Sequence, residues 1–214
     1  MKLVSFGDSW PAGAELNPGE KPFVQLIAEK LDLEHDNYSQ PGTSIPHMIL
    51  KLQQSIKDDP GGHPMALFCI TSSSRSMYYD DDYMENMGWR EIHISNEDAA
   101  SESYYHHLYS DTLACFHANV YILALQQICT RHNINDRYVF CWESFNLMPG
   151  INTSKIYPRT LVDIIGAGMP AGRKDVLIDS NHECVKPNEN HPNQKGHQKI
   201  ADELAEWIKN DTRT

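Results

Sequence analysis

A serine placed to act as a nucleophile follows the first apolar run of the chain. Residues 3–6 (Leu-Val-Ser-Phe) end abruptly in Gly7-Asp8-Ser9, a pattern typical of a buried strand that delivers a serine into a turn. In open α/β sheets ligands bind at the carboxyl ends of the strands, so the hydroxyl and backbone N–H of Ser9 can face a cleft. Gly7 predicts a sharp turn, since glycine adopts backbone angles that a side chain forbids. Taken alone, the tripeptide favours a plain turn in which Asp8 or Ser9 caps a helix.

Two further polar stretches change that interpretation. One is Gln40-Pro41-Gly42-Thr43-Ser44, and the other, near the C-terminus, is His191-Pro192-Asn193-Gln194-Lys195-Gly196-His197. Together with Gly7-Asp8-Ser9, their order and spacing resemble the SGNH (GDSL-type) hydrolase family. The local forms GDSW near residue 7 and NHPNQKGH near the end look most like the short SGNH proteins of tailed bacteriophages.

The resemblance implies a role for several residues. It implies that Ser9 is the nucleophile and that His191, which opens the His-Pro motif before the last predicted helix, is the general base. It also implies that the backbone N–H groups of Ser9 and Gly42 stabilise the oxyanion. His197 is the rival histidine, but it falls within the predicted helix, where we expect it to pack or cap.

The sequence departs from the family where an acidic residue precedes the catalytic histidine by three positions. That position holds Asn188. Asparagine cannot supply the charge that stabilises an imidazolium, although its side-chain oxygen can still accept from the imidazole N–H. We therefore expect Asn188 to orient His191. Glu189, Asp179 and a Ser9–His191 dyad are alternatives, and a plain loop role for Asn188 also fits.

A second departure concerns the third oxyanion donor. The family has an asparagine after the third strand, whereas this chain continues from Ile70 with Thr-Ser-Ser-Ser-Arg. A hydroxyl from Ser73, or from Ser74, is the expected replacement. Arg75 can alternatively bind an anionic group of the substrate. Removal of one such donor typically lowers turnover by ~10²–10³.

Asp8 and Trp10 join Arg75 as predicted substrate-binding residues. For Asp8, bracing of the turn is a better explanation than proton transfer. Trp10 and the aromatic residues of segment 78–111 either stack on sugar rings or pack that segment onto the rest of the fold. The segment is acidic, aromatic and aperiodic, and loops of this length are usually functional or disordered. Its aromatic content favours function.

Composition excludes several classes of protein. A chain of 214 residues with 40% hydrophobic content can bury one full core, which predicts a single domain over residues 1–214 with an insertion at 78–111. The formal charge of −11 argues against nucleic acid and against anionic membranes as partners. No segment approaches membrane-spanning length, and no signal peptide is evident. We expect a cytoplasmic protein, or a virion-associated one if its origin is a phage.

Cysteine and histidine patterns predict neither a redox centre nor a metal site. The five cysteines are odd in number and mostly occupy apolar runs, which indicates buried free thiols. Although the chain has 11 histidines, no spacing such as HExxH supports a metal site. We therefore expect no metal and no cofactor.

Alternating strand and helix patterns predict an α/β fold, a three-layer α/β/α sandwich with a mostly parallel central sheet. Strands are predicted at 3–6, 36–39, 65–70 and 137–142, and helices at 21–33, 44–57, 112–132, 160–165 and 194–209. Residues 176–178 form a short apolar run of ambiguous type. The helix at 112–132 is apolar nearly all round and is therefore expected to be well buried.

The sequence thus predicts an SGNH-type serine esterase that removes a small acyl group, by analogy an O-acetyl group, from a small molecule or a glycan. The alternative is a virion or carbohydrate-binding protein that keeps the fold while its catalytic machinery decays. Asn188 in place of the acid and serine in place of the oxyanion asparagine both favour this alternative. A lipid or thioester hydrolase would need a long apolar groove, which the polar insertion disfavours. A nucleotide-binding flavodoxin-like protein lacks the expected glycine-rich loop after the first strand. The oligomeric state is left open.

Overall fold

Strands and helices alternate along the chain and build a parallel sheet. The computed structural model describes residues 2–61, 65–82, 88–167, 179, 181–187 and 190–211; Asn188, Glu189 and segment 176–178 lie outside these ranges. The strands are β1 (Lys2–Phe6), β2 (Glu34–Asn37), β3 (Met65–Ile70), β4 (Ser76–Tyr79), β5 (Trp89–Ile92) and β6 (Asn135–Phe140). The helices are α1 (Ser9–Ala12), α2 (Phe23–Leu31), α3 (Ile45–Asp58), α4 (Ala99–Ser103), α5 (Asp111–Arg131), α6 (Leu161–Ile165) and α7 (Gln194–Asp211).

The central sheet has four parallel strands in the order β2-β1-β3-β6. Ser5 of β1 pairs in register with Asn37 on one side and with Leu67 on the other. The chain passes from β1 to β2 on one side and then crosses to β3 on the other side of β1. The carboxyl ends of β1 and β3 therefore flank the point where strand order reverses, which is where doubly wound sheets bind ligands.

Helices cover both faces of the sheet because the strand side chains alternate between two cores. Leu3 and Leu67 point into one core, which α2, α6 and α7 close. Val4 and Phe68 point into the other core, which α3 and α5 close. Strands buried on both faces are typical of parallel sheets. The structure confirms the predicted three-layer α/β/α architecture.

Helix α5 differs from its prediction as a well-buried element. Ala118, Ile122 and Leu125 pack against the sheet, but the opposite face exposes other apolar side chains, including Phe116, which is 55% exposed. By length and composition α5 is also the one described helix that can cross a membrane, with a mean hydropathy of 1.2. The expectation that no segment approaches membrane-spanning length is therefore wrong. In this structure one face of α5 packs as a core helix does.

The segment after β3, predicted as an aperiodic loop, contains ordered elements. Strands β4 and β5 form an antiparallel hairpin, and α4 is followed by a π-helical turn at Tyr104–Leu108. Tyr79 and Trp89 form a directly opposed aromatic pair on this hairpin. The Tyr105 hydroxyl donates to the Ser74 carbonyl at 2.9 Å, which fixes the segment to the end of β3. These contacts position the insertion beside the carboxyl edge of the sheet.

Candidate functional site

The turn after β1 places Ser9 at the first position of α1, at the carboxyl edge of the sheet. Gly7 is required there by close packing, because an added Cβ would lie 2.5 Å from Cγ of Pro11 and 2.9 Å from Cβ of Cys69. Its φ is not positive, so the expectation that Gly7 supplies unusual backbone angles is wrong. Ser9 itself is 8% exposed. The turn therefore holds Ser9 against the sheet.

Asp8 anchors this turn from beneath. Its side chain is completely buried, and Oδ1 accepts the Trp10 backbone N–H at 3.3 Å. Oδ2 accepts from three donors, namely Thr71 Oγ1 at 2.6 Å, Arg75 Nη1 at 3.0 Å and Trp142 Nε1 at 3.3 Å. Asp8 therefore braces the turn, as expected, but with its carboxylate fully occupied it has no surface for a substrate.

The Pro41-Gly42 turn is attached to the same carbonyl group as the Ser9 turn. The Gln40 backbone N–H and the Thr43 hydroxyl both donate to the Gly7 carbonyl, at 3.0 and 2.9 Å. Gly42 has φ of 82°, in the left-handed region that favours glycine. The first two sequence motifs thus form one hydrogen-bonded unit.

The histidine loop is joined to the nucleophile turn by a tryptophan. The indole of Trp10 donates to the Asn190 carbonyl at 3.0 Å, and its ring packs edge-on against Trp142. Within the loop, the Lys186 N–H donates to the His191 carbonyl at 2.9 Å. Trp10 is completely buried, so the prediction that it stacks on a sugar ring does not fit. Its position instead sets the distance between the two motifs.

An acidic residue absent from the sequence-based predictions lies beside the candidate base. Nδ1 of His191 is 2.8 Å from a carboxylate oxygen of Glu15, which follows α1 by three residues. Glu15 has φ of 68°, an uncommon conformation for a residue with a long side chain. Nδ1 is therefore the ring nitrogen of His191 that lies beside a carboxylate.

Ser9, Gly42 and His191 line one open cleft with a volume of about 450 Å³. Arg75 of the loop after β3 lines it as well. The remaining lining residues come from the segment after α1, the Pro41-Gly42 turn and the insertion: Ala14, Glu15, Pro41, Glu91, His93, Ser95 and Asn96. The cleft therefore brings together the residues that the resemblance implies as nucleophile, base and two backbone donors.

The insertion forms the far wall of the cleft with polar side chains. Glu91 ties this wall to the start of α3, since its carboxylate accepts the Ser44 N–H at 3.0 Å and lies 2.5 Å from Nδ1 of His47. His93 Nδ1 accepts the Ser95 backbone N–H at 3.1 Å, so the proton of the neutral ring is on Nε2. Burial, and then the nearby charge of Arg75, lower the pKa of His93.

Ser73, predicted as the third oxyanion donor, is not among the residues that line this cleft. It lines a separate crevice of about 10 Å³ with Tyr104 and His117. Ser74 Oγ is 2.9 Å from Ser72 Oγ, so its hydroxyl is engaged within the loop. The residues that line the cleft therefore give no support to Ser73 as the third donor, and its predicted role stays a prediction.

Arg75 lies in the cleft as predicted, but one end of its guanidinium is used. Nη1 donates to Asp8 and to the Thr43 carbonyl, at 3.0 and 3.3 Å. Asn188 and Glu189 lie outside the described residues, and their predicted roles stay predictions. Asp179, the other alternative acid, accepts the Asn181 N–H at 3.0 Å and does not line the cleft.

His197 packs inside the protein, as expected for a residue of the last helix. It is completely buried, stacks on Phe23, and its Nδ1 accepts the Phe23 N–H at 3.1 Å. Burial is the main cause that lowers the pKa of His197 to about 4, and a charge on His191 acts in the same direction. His197 is therefore a neutral structural residue near neutral pH.

The five cysteines are free thiols, and burial raises the pKa of Cys69 and Cys141 well above the ordinary value. Deeply buried, protonated thiols are poor nucleophiles. Among the residues that the structure describes, no cluster of three or more His, Cys, Asp or Glu side chains is placed to hold a metal ion.

Two solved structures with the same architecture are similar over nearly the whole of this chain and of their own. The psychrotrophic esterase EstA from Pseudoalteromonas sp. matches with a TM-score of 0.58 and 15% identity, over 100% of this chain and 99% of its own. A lipolytic protein of the G-D-S-L family from Desulfitobacterium hafniense matches with a TM-score of 0.52 and 10% identity, over 96% of this chain and 98% of its own.

A third similar structure is an acetyl xylan esterase from the rumen bacterium Butyrivibrio proteoclasticus. It matches with a TM-score of 0.55 and 12% identity, over 99% of this chain and 64% of its own. No protein-family model and no curated protein matches the sequence. The chain therefore has the α/β fold of the GDSL/SGNH hydrolases. Its particular resemblance to phage proteins stays a prediction.

Proposed function

We propose that the protein is a serine esterase that cleaves a small acyl ester. The observation that carries this proposal is the convergence of Ser9, Gly42 and His191, from three distant parts of the chain, on one cleft. A nucleophile, a base and backbone N–H donors at one site are the components of acyl transfer. Similar solved structures include esterases, which supports the proposal at the level of fold.

Acylation starts when Ser9 Oγ attacks the carbonyl carbon of the ester. Nε2 of His191 takes the hydroxyl proton, and the negative charge of the tetrahedral intermediate accumulates on the former carbonyl oxygen. The N–H groups of Ser9 and Gly42 stabilise that charge. Collapse of the intermediate breaks the ester C–O bond, and His191 returns the proton to the departing alcohol.

Deacylation repeats these steps with water. His191 takes a proton from a water molecule whose oxygen attacks the acyl-serine, and a second tetrahedral intermediate forms. When the bond to Ser9 Oγ breaks, His191 returns the proton to Ser9 and the carboxylic acid leaves. One water is consumed per ester cleaved, and the enzyme regains its starting protonation state.

The third donor comes from Arg75 or His93 in this proposal, since these two side chains line the cleft of Ser9 whereas Ser73 lines another crevice. Arg75 retains donor capacity beyond the Nη1 bonds to Asp8 and Thr43, and a guanidinium favours a developing negative charge. His93 presents a protonated Nε2 from the wall of the insertion. Both side chains line the cleft that contains Ser9.

We further propose that the ester is an O-acetyl group on a carbohydrate. The far wall carries Glu91, His93, Ser95 and Asn96, which suit hydroxyl groups better than an acyl chain. Two carboxylates in the cleft, Glu15 and Glu91, disfavour a polyanionic alcohol. One of the similar structures is an acetyl xylan esterase.

The experiment compares p-nitrophenyl acetate, butyrate and octanoate, and then acetylated xylan, as substrates for the purified protein and for Ser9→Ala and His191→Ala. We expect hydrolysis that both substitutions abolish, a preference for acetate, and acetate release from xylan. Octanoate as the best substrate would contradict the acetyl proposal, and equal rates for wild type and Ser9→Ala would contradict the esterase proposal.

A second candidate is a virion or carbohydrate-binding protein that keeps the fold with weakened catalysis. The position of Ser73 outside the cleft favours it, since the expected third donor is lost. This candidate predicts binding of xylan oligosaccharides, measured by calorimetry, without release of acetate. Binding that Ser9→Ala leaves unchanged, together with no turnover by wild type, would support it over the esterase.

A further inference from the structure

A histidine that acts as base in acyl transfer needs a partner at its other ring nitrogen. The partner fixes the tautomer, so that Nε2 is free to accept a proton, and a negative partner stabilises the imidazolium. The sequence offers an asparagine at the usual place, which cannot supply the charge. The structure offers Glu15, whose carboxylate is 2.8 Å from Nδ1 of His191.

We propose that Glu15 is the positioning residue of the catalytic histidine, holding His191 with Nδ1 toward its carboxylate and Nε2 toward Ser9. This inference rests on the proposed esterase function. The acid then comes from the turn that follows the nucleophile, six residues after Ser9, and not from the loop that carries the histidine. Nucleophile and acid belong to one short segment, and the base reaches both from the other end of the chain.

The backbone at Glu15 is a second observation that points the same way. Its φ of 68° is left-handed, a conformation that costs a residue with a Cβ roughly 1–2 kcal/mol. Glycine or asparagine adopts it more readily. A turn with only a structural role therefore favours one of those residues, whereas glutamate provides the reach and the charge that the histidine needs.

The two segments are held so that the pair can persist. The Trp10 indole donates to the Asn190 carbonyl, next to His191, at 3.0 Å, and the Ala14 N–H donates to the Ser9 carbonyl at 2.9 Å. The chain is thus fixed immediately before Glu15 and immediately before His191. The side chains remain 41% and 20% exposed, so solvent screens their attraction more than that of a buried pair.

Other charged and titratable groups lie near this histidine. Arg75, Glu91 and His93 line the same cleft, and His197 is close enough for the charge of His191 to influence its pKa. A variant that removes only the charge of Glu15 leaves these groups in place. Glu15→Gln is that variant, since it keeps the length and shape of the side chain.

The test compares Glu15→Gln with Asn188→Ala, which removes the residue at the usual position of the acid. We expect kcat of Glu15→Gln on p-nitrophenyl acetate to fall at least about 10-fold, with KM little changed. The loss should stay below the ~10⁴ reported for a triad aspartate because Glu15 is partly exposed. The loss of kcat in Asn188→Ala should be smaller than the loss in Glu15→Gln, and Glu15→Asp should keep more activity than Glu15→Gln.

The pH profile separates positioning from a structural role. The carboxylate favours protonated His191, so the acidic limb of kcat/KM should move to lower pH in Glu15→Gln. An unchanged limb, or a loss that appears in Asn188→Ala and not in Glu15→Gln, would overturn the inference.

A readout without turnover distinguishes failure of this inference from failure of the esterase proposal. The ring resonances of His191, assigned with His191→Gln, are titrated by NMR in the wild type and in Glu15→Gln. A lower midpoint in Glu15→Gln supports the pairing even if the protein hydrolyses no ester tested. Superimposable titrations overturn it.

Discussion

Asp8→Asn should destabilise the protein strongly. Among the contacts that the structure describes for Arg75, Asp8 is the one negative charge beside this nearly buried guanidinium, and the substitution removes it. Asp8 is completely buried and the Arg75 side chain is 12% exposed, with 3.0 Å between Oδ2 and Nη1. Removal of one partner of a buried ion pair costs about 3–5 kcal/mol. The carboxamide would also meet the hydroxyl of Thr71 and the indole of Trp142, both of which donate to Oδ2.

The expected loss for Asp8→Asn is about 3 kcal/mol, the low end of that range, since Arg75 keeps some access to water. A domain of ordinary stability stays folded after such a loss. Urea unfolding, followed by tryptophan fluorescence, gives the free energy of unfolding for wild type, Asp8→Asn, Arg75→Met and the double variant. The double variant should be more stable than additive losses predict by at least about 1 kcal/mol, because neither charge is left unpaired.

Additive losses within about 0.5 kcal/mol would refute the reasoning, since contacting residues of one ion pair couple by more than that. A loss below about 1 kcal/mol for Asp8→Asn would refute it as well. Thr71→Val serves as the matched control, because it removes one hydrogen bond to the same oxygen without leaving a charge unpaired. We expect it to cost about 1–2 kcal/mol.

Three further predictions follow from the geometry. Gly7→Ala should lower the free energy of unfolding by at least about 2 kcal/mol, because the new Cβ would overlap Pro11; a stability equal to wild type in urea unfolding would contradict this. Burial lowers the pKa of His197 from the ordinary 6.5 to about 4 in the folded protein. Between these two pH values the unfolded chain binds more protons than the folded chain, so the free energy of unfolding falls as the pH drops from 6.5 to 4. Between pH 7 and 4.5 wild type should lose about 2 kcal/mol more than His197→Gln, whose amide oxygen can still accept from Phe23; equal losses would contradict the assignment. His93→Ala should lower kcat/KM for p-nitrophenyl acetate about 10-fold or more without changing the urea midpoint, and full activity would exclude His93 as a donor in the cleft.

Much of the fold is encoded in local patterns. The continuous apolar run of β3 and the 3.6-residue periodicity of α3 give these elements nearly as the structure has them. The sequence does not reveal the β4–β5 hairpin, because each strand has only four residues and its aromatic pair forms between the strands and leaves no periodic pattern along either one. The burial of α5 was overestimated because its exposed face is also apolar, so that periodicity cannot tell its two sides apart.

The sequence predicts the residues of the site that belong to recognisable motifs, but not the charged residues that only folding brings beside them. Ser9, Gly42 and His191 belong to motifs with recognisable order, and the structure places them in one cleft. Glu15 and Glu91 are ordinary charged residues in the sequence, and only the folded chain brings each beside a histidine. The positive φ of Glu15 could not be predicted either, because glutamate rarely adopts that conformation. A charged residue shortly after the nucleophile was the one available signal.

The most direct test of the central claim is covalent labelling of Ser9. The purified protein is treated with an alkyl fluorophosphonate, which reacts with activated serines, and peptides are mapped by mass spectrometry. We predict a single adduct on Ser9, formed at least about 100-fold more slowly in His191→Ala and absent in Ser9→Ala. Labelling of wild type no faster than of His191→Ala, or an adduct on another serine, would contradict the claim that His191 activates Ser9.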